Sequence, residues 1–256
     1  VLTFISLGAA LGSVFVALPY APRAVTPLIQ IDRFSLFFAG LVIAGALLVA
    51  LISRDYLPAH GKRNEAFYLL LIFAVLGMEA IAASGHFAAF FLGIETLSAS
   101  LFGLIGYTRN YKPSLEAAIK YLVMAAMSSA FLLFGIALVY ADFGTMEFRR
   151  LIPLFAAGSI PVASYLGLEL ILLGFGFKLA IVPFHMWSPD VYQGAPAPVT
   201  ALIASGSKGA VFAFTQCLAI DHAHQGIRIN TVVPGFTETG MTEGMAQELN
   251  AFFKDV

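Results

Sequence analysis

Charge is what this 256-residue sequence has least of. Asp, Glu, Lys and Arg together make up 11% of it, whereas a soluble domain uses roughly 25% to cover its surface. Lys and Arg number 14 against 15 Asp and Glu, a formal net charge of -1, so there is no basic field to hold nucleic acid. A single cysteine, Cys217, excludes an internal disulfide and any Cys-based zinc site. Internal repeats and low-complexity tracts are missing, and so is the period-2 alternation of a membrane β-barrel. Disorder is excluded as well, because 24 Phe and long Leu/Ile/Val/Ala runs cannot stay solvated. What is present is apolar: 59% of the residues, with a mean hydropathy of +0.87. The solvent of such a chain is mostly lipid.

A helix needs about 20 apolar residues, at 1.5 Å of rise each, to cross about 30 Å of hydrocarbon. Seven stretches qualify: 1–20, 34–53, 66–83, 87–107, 117–140, 164–184 and 195–218. Helices are the open-chain way to satisfy a backbone in lipid, so the fold class read from the sequence is an all-α polytopic membrane protein. The connections carry the charges. Arg54, Asp55, Lys62, Arg63 and Glu65 follow the second span, and Arg109, Lys112 and Glu116 follow the fourth. Ser84-Gly85-His86 leaves room only for a tight turn. Alternating the spans sets Arg54, Lys62, Arg63, Arg109 and Lys112 against Arg23, Arg33, Arg149 and Arg150, and the first group is taken as cytoplasmic. Val1 is not an initiator and no basic segment precedes the first run, so the start reads as an internal cut and not a signal peptide.

A few ionisable residues fall inside the spans. A charge at a bilayer centre costs at least ~2.5–3.5 kcal/mol, so such groups face the bundle interior or water and pair. Glu95 is mid-span in FFLGIETLSASLFGL, Lys178 is late in LLGFGFKLAIVPFH, Lys208 is mid-span in VTALIASGSKGAVFAF, and Lys120 is one turn inside its helix. Burial disfavours the charged form of each, and a neighbouring opposite charge restores it. An exchangeable set of such groups makes a proton relay; a permanent ion pair between helices is the plainer alternative. Glu79 and Glu169 lie near enough to span ends to reach an interface. Glu169 and Lys178 are nine residues apart, on opposite helix faces.

Pro183, Pro189, Pro196 and Pro198 crowd the stretch PFHMWSPDVYQGAPAPVT. Each removes a backbone donor, and a broken helix at membrane depth lines a cavity. His185 follows the break, and an imidazole exchanges protons near neutral pH. The other reading is an interfacial belt, with Trp187 and Tyr192 at the headgroups.

The segments EAFYLLLIFAVLGM, FFLGIETLSASLFGLIGY, SLEAAIKYLVMAAMSSAFLLFGIALVY, LLGFGFKLAIVPFHMWSPDVYQGAPAPVT and ASGSK resemble the subunit N family of NADH-quinone oxidoreductase. That family is an antiporter-like membrane subunit of respiratory complex I. The resemblance covers about residues 1–208. It implies proton translocation coupled to quinone reduction elsewhere in the complex. It also implies that Glu95, Lys178, Lys208, Lys120 and His185 take the family's proton-handling positions, with Glu95 and Lys178 as the exchangeable pair, Lys208 receiving protons next, and Lys120 and His185 tuning or feeding the path. The partners it implies are the other membrane subunits and the lipid bilayer, with quinone and NADH reached only through the whole complex. No cofactor is expected in this chain, and the expected location is the bacterial inner membrane. The family's first span and everything beyond the helix of Lys208 would be missing here.

Beyond residue 219 the composition turns soluble. SKGAVFAFTQCLAIDHAHQGIRINTVVPGFTETGM, 207–241, resembles the C-terminal part of a short-chain dehydrogenase/reductase. Arg228, Asn230, Pro234 and Gly235 fit that pattern, and Lys208 fits its lysine, but the tyrosine position is Ala204. The glycine-rich phosphate loop and the active-site serine are absent, and a Rossmann site needs that first βα turn. The two resemblances meet between Ser205 and Gly209, which divides the chain into 1–208, the helix bundle, and 209–256, a short α/β-type fragment. The strand-like GIRINTVV has no partner strand, so the fragment is expected to be loosely ordered. Asp221, His222 and His224 are too few for a metal site. Other readings stay open: a soluble NAD(P)-dependent reductase, a chimera without function, and a cation/proton antiporter subunit.

Overall fold

The computed structural model describes residues 2–59, 65–108, 110–156, 160–181 and 184–203. The chain divides into two units, Val1–Ser207 and Lys208–Val256, and the described residues all belong to the first. The expectations for Lys208, for the Ser205–Gly209 junction and for the reductase-like fragment therefore lie outside the described residues.

The first unit is helical. α1 (Leu2–Ala17) turns through Leu18–Tyr20 into a short antiparallel hairpin, β1 (Arg23–Ala24) and β2 (Gln30–Ile31), with Arg23 opposite Ile31. Then come α2 (Arg33–Ala59), α3 (Glu65–Ala82), α4 (Phe87–Ile105), α5 (Lys112–Phe143), the short α6 (Phe148–Ala156), α7 (Val162–Lys178), a 3-10 turn (Phe184–Trp187), α8 (Ser188–Gly194) and a further helical stretch over 197–203. Five of the described helices are long and apolar enough to cross a membrane: Leu2–Tyr20, Arg33–Pro58, Glu65–Ala82, Phe87–Ile105 and Lys112–Phe143. They match the first five predicted spans. The sixth, α7, has 17 residues, and the seventh is described only at its start.

The helix ends follow local chemistry. Asp32 caps α2 through its Oδ1, which accepts from Ser35 N at 2.7 Å, while Ser35 Oγ accepts from Asp32 N at 2.9 Å. This reciprocal pair satisfies two orphan donors. His86 caps α4, its Nδ1 accepting from Ala88 N. α5 stops at Gly144, whose φ of 64° suits a residue without a Cβ. Asp142 at that end accepts from both the backbone N and the Oγ of Ser164, which ties the first turn of α7 to α5.

Lipid tails are as apolar as leucine, so membrane helices associate through close packing at small residues. α3 meets α4 at Gly77 and Gly93, where a Cβ on Gly77 would come within 2.7 Å of the backbone N of Leu97. α5 meets α7 at Gly135 and Gly167, and Ser128 Oγ donates to the carbonyl of Gly174 at 2.8 Å. Large apolar side chains such as Ile5, Phe15, Leu48, Leu76, Leu92 and Leu133 point outward, an apolar surface that a bilayer covers. Gly77→Ala is expected to cost about 1–3 kcal/mol by overpacking. Thermal unfolding of the purified protein in detergent checks this, since an unchanged transition would mean that the α3–α4 contact yields freely.

One end of the bundle is laced by backbone hydrogen bonds. Gln30 N donates to Ala83 O, Gly85 N to Leu28 O, Phe87 N to Met146 O and Phe148 N to Gly85 O. The hairpin, the α3–α4 turn and the α5–α6 loop thus share that end, and with them Arg23, Arg33, Arg149 and Arg150. Neither the hairpin nor α6 was expected. α6 is too short to span, and its Arg149-Arg150 pair reads as a connection, yet Leu151 is buried while Ile152 is exposed.

Candidate functional site

Three helices bring their polar side chains together inside the bundle. Glu95 projects from the middle of α4 and Lys178 is the last residue of α7, with Nζ 3.8 Å from Glu95 Oε1. The Lys178 side chain is only 15% exposed, against 41% for Glu95. The nearer partner of Lys178 is a hydroxyl: Nζ donates to Ser98 Oγ at 2.8 Å. Ser98 lies three residues after Glu95, on the same face of α4. Its Oγ donates to Ile94 O, and the Tyr121 side chain of α5 lies close to the same serine. Ser129, also on α5, donates its hydroxyl to Glu95 Oε1. Sequence reading found the two charges and missed Ser98, Ser129 and Tyr121. The signal available was the i, i+3 spacing of Glu95 and Ser98; nothing local points to α5.

Lys178 comes to this depth because α7 stops there. Ile181 N donates to Gly176 O and Ala180 N to Phe177 O, the paired closure of a Schellman motif. Ala180 occupies its left-handed position with φ 51°, a conformation that disfavours any residue with a Cβ. The sequence places the break at the prolines within a span of 164–184, but the described helix ends at Lys178, ahead of them. The chain then folds back under the site. Phe184 packs on Gly176 and against Phe177, their rings tilted by 35° with centroids 4.0 Å apart. Trp187 is buried, donates Nε1–H to Phe177 O at 3.0 Å and meets the Tyr121 ring edge-on. Trp187 is thus an internal anchor and not part of an interfacial belt.

The other sequence candidates lie apart from this pair. Lys120 is two turns inside α5, which begins earlier than predicted, and it is exposed. Its Nζ is 2.6 Å from Asp190 Oδ2 of α8 and 2.8 Å from Glu116 Oε1. It fastens α8 to α5 by an ion triad whose Glu116 member sits at the i, i+4 spacing. His185 is exposed on the 3-10 turn and joins no ion pair among the described residues. Glu79 is half-buried one turn from the end of α3, with Oε1 shielded and without a hydrogen-bond partner. Glu169 is the eighth residue of α7, at mid-helix and not near an end. It is exposed on the side away from the Gly167 contact with α5.

A model of the family described as NADH:quinone oxidoreductase/Mrp antiporter, TM, matches residues 84–241, more than half of the chain. The chain belongs to this family. The matched range contains Glu95, Ser98, Tyr121, Ser129 and Lys178, and it runs on into the segment with the reductase-like resemblance. Among solved structures, the chain is similar to one in respiratory complex I from Thermus thermophilus with bound aureothin, at 35% identity and a TM-score of 0.68. That match covers 82% of this chain and 45% of the other. The fold is shared with a chain of the archaeal membrane-bound sulfane sulfur reductase, at 24% identity, TM-score 0.74 and coverage of 85% and 47%. It is also shared with a chain of the Mrp complex from Dietzia sp. DQ12-45-1b, at 24% identity, TM-score 0.67 and coverage of 85% and 43%. This chain spans about half the length of those it matches. It is a multi-pass membrane protein with an antiporter-like helix bundle.

Proposed function

We propose that this chain is a proton-translocating part of subunit N of an NADH-quinone oxidoreductase in a bacterial cell membrane. The observation that carries the reading is the half-open Glu95–Lys178 pair, set within hydroxyl groups at a helix break inside the bundle. Intramembrane charges that pair across helices mark ion pathways. A proton arriving on Glu95 would remove the anion that supports the Lys178 ammonium. Lys178 would then release its own proton, and Lys208 is the acceptor that the family resemblance offers. Lys120 of α5 and His185, on the turn beyond the break, would tune or feed the path. Electrons would pass from NADH to quinone in other subunits, and this chain would hold no cofactor. The 209–256 fragment would add no redox chemistry, since the nucleotide loop is absent from the sequence.

The test is Lys178→Ala in the assembled complex, in sealed membrane vesicles. NADH-driven acidification is followed with a pH-sensitive dye, with NADH oxidation measured in parallel. Pumping is expected to fall to the level of uncoupled vesicles while NADH is still oxidised. Unchanged acidification sinks the assignment of Lys178. The family also contains Mrp antiporters, and repeating the assay with and without sodium separates proton pumping from cation/proton exchange.

A further inference from the structure

Lys178 does not rest against its acidic partner. Charge-assisted contact brings N and O to ~2.7–2.9 Å, yet Nζ and Glu95 Oε1 stand 3.8 Å apart while Nζ sits 2.8 Å from Ser98 Oγ. The carboxylate oxygen nearest the ammonium is also the one that Ser129 occupies with its hydroxyl. Each charge is therefore held by a serine from a neighbouring helix. Ser98 of α4 holds Lys178 of α7, and Ser129 of α5 holds Glu95 of α4. Ser98 is itself fixed by its hydrogen bond to Ile94 O.

We propose that Ser98 and Ser129 are positioning residues that keep the Glu95–Lys178 pair open. With both hydroxyls in place, the ammonium and carboxylate stay short of contact. Removing either hydroxyl lets them close. A hydroxyl suits this task because it can accept a hydrogen bond or donate one. It accepts from an ammonium and can rotate to donate to the neutral amine, so the site can lose a proton without leaving a polar group bare. A closed ion pair would hold both partners charged. The use of this gap rests on the proton-translocation reading; the gap itself does not.

The experiment is solid-state NMR on the full chain in lipid bilayers, with 15N-lysine and 13C-glutamate. The Lys178–Glu95 signal is identified by its loss in Lys178→Ala. In Ser98→Ala the Nζ–Oε1 separation is expected to shorten from 3.8 Å to about 2.8 Å, read as faster dipolar dephasing. Ser129→Ala is expected to do the same by an independent route, which keeps the test alive if one variant does not fold. Ser98→Thr restores the hydroxyl and with it the wild-type separation. An unchanged or longer distance in the alanine variants overturns the inference, since Ser98 would then be a satisfied hydroxyl and no more. Because the readout is a distance, it is independent of pumping. Closure in the variants supports the inference even where Lys178→Ala leaves acidification unchanged, and an unchanged distance overturns it even where that variant abolishes acidification.

Discussion

Glu95→Leu is expected to destabilise the protein by about 3 kcal/mol, the lower part of the range for stripping one partner from a buried ion pair. The variant strands the Lys178 ammonium inside the bundle with Ser98 as its one close polar partner among the described residues. It also leaves the Ser129 hydroxyl without its acceptor. The lower part of the range applies because Glu95 is partly exposed and the pair is not in contact. The double variant Glu95→Leu/Lys178→Leu is expected to recover most of the loss. Replacing both members of a buried pair by apolar residues is often neutral or stabilising, and in lipid no charge then remains to be accommodated. Thermal unfolding of the four proteins of this cycle, in the same detergent, measures the coupling. If the double variant is as unstable as the sum of the singles, the two charges do not interact and the site loses its basis. A stable but pump-inactive double variant is the expected outcome, and it would separate the chemistry of the pair from any role in holding the fold.

The second large effect concerns the backbone contact that places Lys178. A Cβ on Gly135 would lie 2.5 Å from the carbonyl oxygen of Gly167, and one on Gly167 would lie 2.7 Å from that of Gly135. Neither obstacle is the end of a flexible side chain, so Gly135→Leu can be accommodated only by moving α5 and α7 apart. That movement breaks the Ser128–Gly174 hydrogen bond and the Asp142 bonds to Ser164. It also draws Lys178 away from Ser98 and Glu95. A loss of 3 kcal/mol or more is expected, above the usual overpacking range because backbone must shift. Gly12→Leu supplies the control. Nothing lies within 4 Å of a Cβ there and the position faces outward on α1, so its unfolding should match that of the wild type. Size-exclusion profiles and unfolding curves of the two variants decide the matter. Equal behaviour of both would show that α5 and α7 are not locked at the glycines.

Residues close in sequence explain what could be read before any coordinates. The Schellman closure at Ala180, the Asp32–Ser35 cap and the Glu116–Lys120 pair all link positions at most five residues apart. Each is visible in the sequence once its helix boundary is correct. Boundaries were the weak point: α5 starts at Lys112 and not at 117, which moved Lys120 from one turn inside the helix to two. Glu116 was thereby left among the loop charges. The hairpin at Arg23–Ala24 and Gln30–Ile31 and the amphipathic α6 carry too few residues for a periodic signal to emerge. The serines were missed for a different reason. Ser98 and Ser129 are two of several hydroxyls on apolar helices, and most of the others, such as Ser53 and Thr96, only bond back to the carbonyl one turn earlier.

By itself the sequence determined that the chain lives in lipid, that it crosses the bilayer several times, and which of its acids and bases lie within the crossings. Those properties follow from run length and composition, because each span must be apolar whatever it packs against. The family resemblance had already paired Glu95 with Lys178; tertiary structure alone decided their spacing and the other partners. Glu95 was held by Ser129 and kept 3.8 Å from Lys178, Lys120 was sent to Asp190 at the edge of the bundle, and Glu169 was turned outward. The reason is geometric: helix rotation and depth are set where glycines let two backbones touch, and that contact spans residues such as Gly135 and Gly167 that no local pattern connects.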